Sequence, residues 1–160
     1  MDPKIRLGLI VVAVIIGIVV ANNKNRRHET DSQRWEREHN MSDPGNDPRF
    51  KAAEAEARRR WPEFVAAFNR HEPNVAYAVK AKFMDGNVTE WMWVQVESIA
   101  GDAVRGKLDN DPVDVHNVKV GDHVTKGLAD IDDWIVGRNG SVAQGGFTTK
   151  VLQQIDSERK

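Results

Sequence analysis

The chain has 160 residues, which suffices for one domain of ordinary size with a short appendage and is too short for a two-domain enzyme. Hydrophobic residues make up 40% of it and charged residues 29%, a balance typical of a folded globular protein. The absence of cysteine excludes disulfides, thiolate metal sites and thiol chemistry. Residues 71–160 carry 14 acidic against 10 basic side chains, which argues against nucleic-acid binding.

The first predicted elements are a short flank at residues 1–6 and a transmembrane helix at residues 7–23. Residues 7–23 carry no charge, and as a helix they would span about 26 Å, close to a hydrocarbon core of roughly 30 Å. A cleaved signal peptide, with Lys4 and Arg6 as its basic region and a cleavage site at Ala21, is the alternative and implies a secreted periplasmic domain. A buried soluble helix is disfavoured, because the segment has no polar face.

Flanking basic residues predict the orientation of this helix. Lys4 and Arg6 precede it. Five basic residues follow it, namely Lys24, Arg26, Arg27, Arg34 and Arg37. Because the cytoplasmic flank usually carries the excess of Lys and Arg, we expect a single-pass membrane protein with its globular domain in the cytoplasm. The periplasmic side stays the alternative, since acidic residues are interleaved with the basic ones.

A polar flexible linker is predicted at residues 24–47, because this composition cannot bury enough apolar area to offset the entropy of the chain. A globular α+β domain is predicted at residues 48–160. It begins with an amphipathic helix, for which Asp47 is the cap and Pro48 the first helical residue. The apolar stripe of this helix comprises Phe50, Ala53, Ala57, Trp61, Phe64, Val65 and Phe68. Pro62 predicts a kink or a restart of the helix.

The helix is expected to pack on an antiparallel β meander of about four to five strands. Residues 75–83 alternate between apolar and polar side chains, and Asp85-Gly86-Asn87 supplies a hairpin turn. The return strand, residues 90–99, directs Trp91 and Trp93 to one face and Met92, Val94 and Val96 to the other.

Shorter elements complete the predicted domain. Residues 104–108 form a third strand, short strands are expected within residues 115–124, and residues 131–135 form a further one. Residues 137–146 are predicted to be a loop. Thr148 is predicted to cap a short C-terminal helix.

Several motifs, in this order, resemble those of the YegJ-like bacterial family of unknown function (domain of unknown function 2314). They are Phe83, residues 90–94, residues 106–112, residues 119–124, residues 131–134 and residues 145–148. The resemblance covers about residues 50–155 and implies an α+β domain of bacterial origin, with no established activity, substrate, cofactor or catalytic residue. Trp91 departs from the family pattern, which more often has histidine there, so any role of that histidine is not kept.

The sharpest hypothesis for a site is an aromatic and acidic groove that binds a peptide or a cationic group. Three tryptophans lie near acidic residues, and a groove would form if they shared one face. The predicted binding residues are Trp91, Trp93, Trp134, Glu90 and Asp133. The alternative is that the tryptophans fill the core against the helix that carries Phe64 and Phe68.

Catalytic and metal-binding patterns are weak. Asp109, Asp111 and Asp114 lack the spacing of a calcium loop, and no metal or cofactor is predicted. His116 or His123 with Asp109 or Asp133 could support a small hydrolase-like enzyme.

The sequence therefore favours a membrane-anchored, non-catalytic binding or interaction domain. Its expected partners are membrane lipid, contacted through the N-terminal helix, and an unknown protein or small ligand, but not nucleic acid. The alternatives are the hydrolase-like enzyme and the secreted periplasmic domain.

Overall fold

A computed structural model describes residues 47–158, so the predicted flank, transmembrane helix and nearly all of the linker lie outside it. No helix within the described part is long and apolar enough to cross a membrane. The elements in chain order are α1 (Pro48–Arg59), α2 (Trp61–Asn69), β1 (Val75–Asp85), β2 (Val88–Ala100), β3 (Ala103–Leu108), β4 (His123–Gly127), a 3-10 turn (Leu128–Asp130), β5 (Ile131–Arg138), β6 (Ser141–Gly145) and α3 (Phe147–Glu158).

The two first helices follow the sequence signals closely. A carboxylate oxygen of Asp47 accepts a hydrogen bond from the Arg49 N–H at 2.8 Å, which confirms the predicted cap. The helix breaks at Arg60, and α2 begins with Pro62 in its first turn, so the proline restarts the helix rather than kinking it. The buried side chains of both helices belong to the predicted stripe except Ala67, which the prediction left out.

The sheet has six antiparallel strands in the order β4-β3-β2-β1-β5-β6, so the prediction of four to five strands was too low. The missed strand is β6, because residues 137–146 were predicted to be a loop. Arg138 instead pairs with Ser141 across a two-residue turn. Asn139 and Gly140 have φ values of 51° and 72° in that turn, the left-handed geometry of a tight hairpin. The Asn-Gly pair in the sequence was the available signal.

The sheet is not a simple meander. The central strand β1 pairs with β2 on one side and with β5 on the other, so the chain crosses from the β4 edge back to the centre. The short strands predicted within residues 115–124 are also absent apart from the start of β4. Residues 109–122 form an irregular loop. Its ends hydrogen-bond to the backbone of β2 and β3, whereas side chains of the β1–β2 hairpin bind the backbone of residues 113–116.

One face of the sheet, here called the core face, is covered by all three helices. It carries the buried side chains of Val79, Met92 and Val94, which form a single cluster with Phe64 of α2. Helices α1 and α3 together form a second cluster, which includes Phe50 of α1 and Val151 of α3. The alternation predicted for the return strand is confirmed from Trp91 to Val96, since Met92, Val94 and Val96 belong to the core cluster. A bulge between Val96 and Ser98 interrupts it.

The sheet is strongly curved. Lys126 of β4 donates a hydrogen bond to the carbonyl oxygen of Lys82 on β1, and its ammonium lies 3.6 Å from the centre of the Phe83 ring. These strands are not neighbours in the sheet, so β4 must curl across the core face to reach β1. The curvature closes the core at the end that the helices leave open.

We expect Val94→Asp to unfold the domain. Val94 is fully buried at the centre of the core cluster, and an unpaired charge there should lower the free energy of unfolding by about 4 kcal/mol or more, a large share of the net stability of a domain. A thermal melt of the full-length chain, followed by circular dichroism, measures the effect.

Val88→Asp on the same strand is the matched control, because Val88 is exposed. It should melt near the parent. A Val94→Asp melt within a degree or two of the parent would refute the central position of this strand.

Candidate functional site

The structure places Trp134 in the core. Its side chain is 1% exposed, and its indole N–H donates to the carbonyl oxygen of Ala57 on α1 at 2.8 Å. The ring lies 5.5 Å from Phe64 and 5.4 Å from Phe147, measured between ring centres. Both the apolar area and the polar atom of Trp134 are thus used within the fold.

Trp91 and Trp93 lie on the opposite face of the sheet, which we call the tryptophan face. Trp91 pairs with Lys82 of β1, and Trp93 pairs with Lys80. Residues directly opposite one another in neighbouring strands share a face, so the two tryptophans stand beside two lysines. Trp91 is half-buried, whereas Trp93 is only 8% exposed. The three tryptophans of the predicted groove therefore do not share one face.

The tryptophan face carries more cationic than acidic side chains. Lys107 of β3 pairs with Gln95, and Arg105 pairs with Ser98, which brings two further cationic residues to the side on which Lys80 and Lys82 lie. Lys107 and Arg105 are exposed. Of the two acidic residues predicted for the groove, Glu90 pairs with Phe83 on the core face. Asp133 pairs with Lys80 and so belongs to the tryptophan face, where its carboxylate binds the start of α3.

The Glu90 carboxylate organises the loop at residues 109–122. It accepts hydrogen bonds from the backbone N–H groups of Val113, Asp114 and Val115 at 3.0 to 3.2 Å. Three amides converging on one carboxylate hold the loop at the open end of the sheet. Val115, the last of these three residues, is buried in the core cluster.

The Asp133 carboxylate caps helix α3 from a neighbouring strand. It accepts hydrogen bonds from the backbone N–H groups of Phe147 and Thr148 at 3.1 and 2.8 Å, and from the Thr148 hydroxyl at 2.7 Å. It also accepts from the Trp134 N–H at 2.8 Å. Burial raises the pKa of Asp133, and these hydrogen bonds oppose the rise. The predicted cap, Thr148, lies inside the helix and donates instead.

Asp132 is the chemically unusual group that the sequence did not single out as a site. Lys80 pairs with Asp133 and Ala81 with Ile131, so Asp132 is the extra residue of a β-bulge. It is 5% exposed, and its Oδ1 atom has no hydrogen-bond partner within residues 47–158. Burial raises the pKa of its carboxyl to about 7. The positive charge of Lys80 opposes this rise, and the negative charges of Asp133 and Glu54 add to it.

The histidines of the hydrolase hypothesis lie apart from its carboxylates. The His123 ring lies 3.0 Å from a Glu97 oxygen at an exposed position, and the His116 backbone donates to Asp85. Among the described residues, no hydrogen bond or ion pair joins either histidine to Asp109 or Asp133. Burial raises the pKa of Asp109 to about 6. Residues 47–158 contain no group of three His, Asp or Glu side chains arranged to hold a metal ion.

The comparison with protein families decides the affiliation of the chain. A family model described as "Uncharacterized protein conserved in bacteria (DUF2314)" matches residues 47–160. The chain belongs to this family. The resemblance inferred from the sequence motifs is therefore confirmed, and so is the bacterial α+β domain of unknown function that it implied.

Two relatives illustrate how far this DUF2314 chain matches curated proteins. It is 32% identical over 96 residues to the uncharacterized protein YegJ of Escherichia coli (strain K12), covering 60% of this chain and 61% of that protein. It is 35% identical over 77 residues to the putative ankyrin repeat protein NMB1133/NMB1171 of Neisseria meningitidis serogroup B (strain ATCC BAA-335 / MC58), covering 47% of this chain and 30% of that protein. The chain thus spans less than two thirds of either relative. No solved structure matches it.

We expect the contribution of Asp132 to the stability of the domain to fall as the pH rises from about 4 to about 7. The folded state binds the Asp132 proton more tightly than the unfolded state, so the contribution is fully present below the unfolded pKa and is lost as the pH passes the folded value of about 7. Asp132→Asn removes this loss. The free energy of unfolding of this variant should exceed that of the parent by an amount that grows across this pH range to as much as about 4 kcal/mol.

Thermal melts of the full-length parent and variant at pH 5 and pH 8 measure the difference. Asp130→Asn is the control, because Asp130 is exposed two residues away. If the melting temperatures of Asp132→Asn and the parent differ by the same amount at both pH values, the buried carboxyl does not titrate as described.

Proposed function

We propose that this chain is a membrane-anchored, non-catalytic binding protein whose tryptophan face receives an acidic peptide segment. The observation that carries the proposal is the pairing of half-buried Trp91 with Lys82, beside exposed Lys107 and Arg105, on the sheet face opposite the helices. Tryptophan supplies a large contact area at low entropic cost, and lysines at its rim attract carboxylates. The basic rim favours an acidic partner over the cationic one expected from the sequence.

Anchoring is supported by the uncharged segment at residues 7–23, which is of the length and composition of a single membrane span. The basic residues that follow it favour a cytoplasmic domain. A binding role is favoured over hydrolysis because the described histidines pair with neither Asp109 nor Asp133, the arrangement that the enzyme would need.

The anchor is tested by fractionating cells that express the full-length chain and measuring its intact mass. We expect the chain in the alkali-washed membrane pellet with its N-terminal segment intact, since residues 7–23 should stay in the bilayer. A matched chain that lacks residues 1–22 should move to the supernatant. Full-length chain in the supernatant would contradict the anchor. A mass that lacks the segment would instead establish a cleaved signal peptide.

The binding face is tested with the full-length chain in detergent micelles and a fluorescent peptide of glutamate and tryptophan residues. We expect Trp91→Ala to weaken binding by about 10-fold or more, as loss of a central tryptophan commonly does. Lys82→Glu should weaken it further in dilute salt, because it replaces an attraction by a repulsion.

Trp61→Ala is the matched control, because Trp61 lies on α2 and packs 5.0 Å from Phe64 on the core face. It should leave the affinity unchanged. A peptide of lysine and tryptophan, and single-stranded oligothymidylate, serve as competing ligands. Tighter binding of either one, or equal effects of Trp61→Ala and Trp91→Ala, would overturn the proposed function.

A further inference from the structure

The tryptophan face combines a buried apolar patch with exposed cationic residues. Ala78 and Ile135 are each 2% exposed, Lys80 is 7% exposed, and Trp93 clusters with Ala78 and Ile135. All three described helices lie on the core face, where they contact side chains such as Trp134 and Tyr77. The start of α3 borders this face, since a Cβ atom on Gly146 would lie 3.6 Å from Ile135. Trp91 is half-buried and Lys107 is exposed, so this part of the face can receive a further segment.

The N-terminal part of the chain contains a segment of complementary chemistry. Residues 29–38 include Trp35, the one tryptophan of the chain that precedes the described residues, and four acidic side chains against two basic ones. The acidic residues are Glu29, Asp31, Glu36 and Glu38. An indole flanked by carboxylates matches a face that presents two tryptophans and several cationic residues.

The connection between this segment and the domain is long enough. Eight residues separate Glu38 from Asp47, at which the described chain begins. Extended, they reach about 30 Å, whereas stacked sheets lie only about 10 Å apart. The segment can therefore pass from α1, on the core face, around an edge of the sheet to the other face.

We propose that residues 29–38 dock on the tryptophan face of the same chain, with Trp35 against Trp91 and Trp93 and the carboxylates of Glu36 and Glu38 beside Lys82 and Lys107. The inference rests on the proposed function, because it assigns the same face to an internal acidic segment that an external peptide must displace. A tether of this length gives the segment an effective concentration in the millimolar range, so even weak contacts keep the face occupied.

Disulfide cross-linking of the full-length chain in membranes tests the docking. The chain has no cysteine, so two introduced cysteines report on one distance. Gln33→Cys with Gln95→Cys joins the segment to the tryptophan face, since Gln95 lies opposite Lys107. Gln33→Cys with Ala66→Cys is the matched control, because Ala66 is exposed on α2 at the other face. We expect rapid intramolecular disulfide formation for the first pair and at least 10-fold slower formation for the control.

Charge exchange tests the specificity of the contact. Glu36→Lys with Glu38→Lys should slow cross-linking of the first pair several-fold, and so should Lys82→Glu with Lys107→Glu. Combining all four substitutions should restore the rate, which a variant that failed to fold could not do. Equal rates for the test and control pairs, disulfides between two chains, or no rescue by the combined variant would each overturn the proposal.

The same variants separate this proposal from the proposed function. Trp35→Ala should raise the affinity of the full-length chain for the glutamate and tryptophan peptide several-fold, because the internal competitor is weakened. Peptide binding that depends on Trp91 without the cross-link would refute the docking and keep the binding function. The cross-link, together with no peptide binding even in Trp35→Ala, would refute the binding of an external acidic partner and keep the docking.

Discussion

The fold depends on the burial of Trp134 between the sheet and the helices. Its ring fills the space between Phe64 of α2 and Phe147 at the start of α3, and its N–H satisfies a carbonyl of α1. One side chain of β5 therefore contacts all three helices. Gly145 allows the edge strand to pass close to it, because a Cβ atom there would lie 1.9 Å from the Trp134 carbonyl oxygen. A larger residue at that position could not keep the pairing of β6 with β5.

The bulge that orients Trp134 also buries two carboxyl groups side by side. Asp133 is compensated, since four hydrogen bonds converge on it and it caps α3. Asp132 is not compensated in the same way, and its Oδ1 atom finds no hydrogen-bond partner in the described region. A protonated carboxyl costs less to bury than a charged one, which is why its proton is held up to neutral pH. The packing of β5 and its response to pH thus have one origin.

Several residues of the motifs that resemble the family have structural roles in this fold. A Cβ atom on Gly106 would lie 2.1 Å from the Gln95 carbonyl oxygen, so β3 can approach β2 only without one. The Asn110 side chain accepts a hydrogen bond from the Trp93 N–H just after the end of β3, and the Asp133 carboxylate caps α3. These residues have structural roles that need no ligand. Trp91 is only half-buried and Lys107 and Arg105 are exposed, and the proposals for function therefore rest on the tryptophan face.

The sequence by itself determined the local features: the cap at Asp47, the restart at Pro62, the β1–β2 hairpin and the two faces of residues 90–99. Each of these depends on neighbours within a few positions, which periodicity and capping chemistry report directly. Only the tertiary structure decided the face of Trp134, because strict alternation from Ile131 would have placed it opposite the core. The bulge at Asp132 shifts the alternation by one residue. The hydrogen-bond partners of Glu90 and Asp133 could not be predicted from the sequence either. These carboxylates bind backbone amides 14 to 25 residues away, which leaves no local sequence pattern.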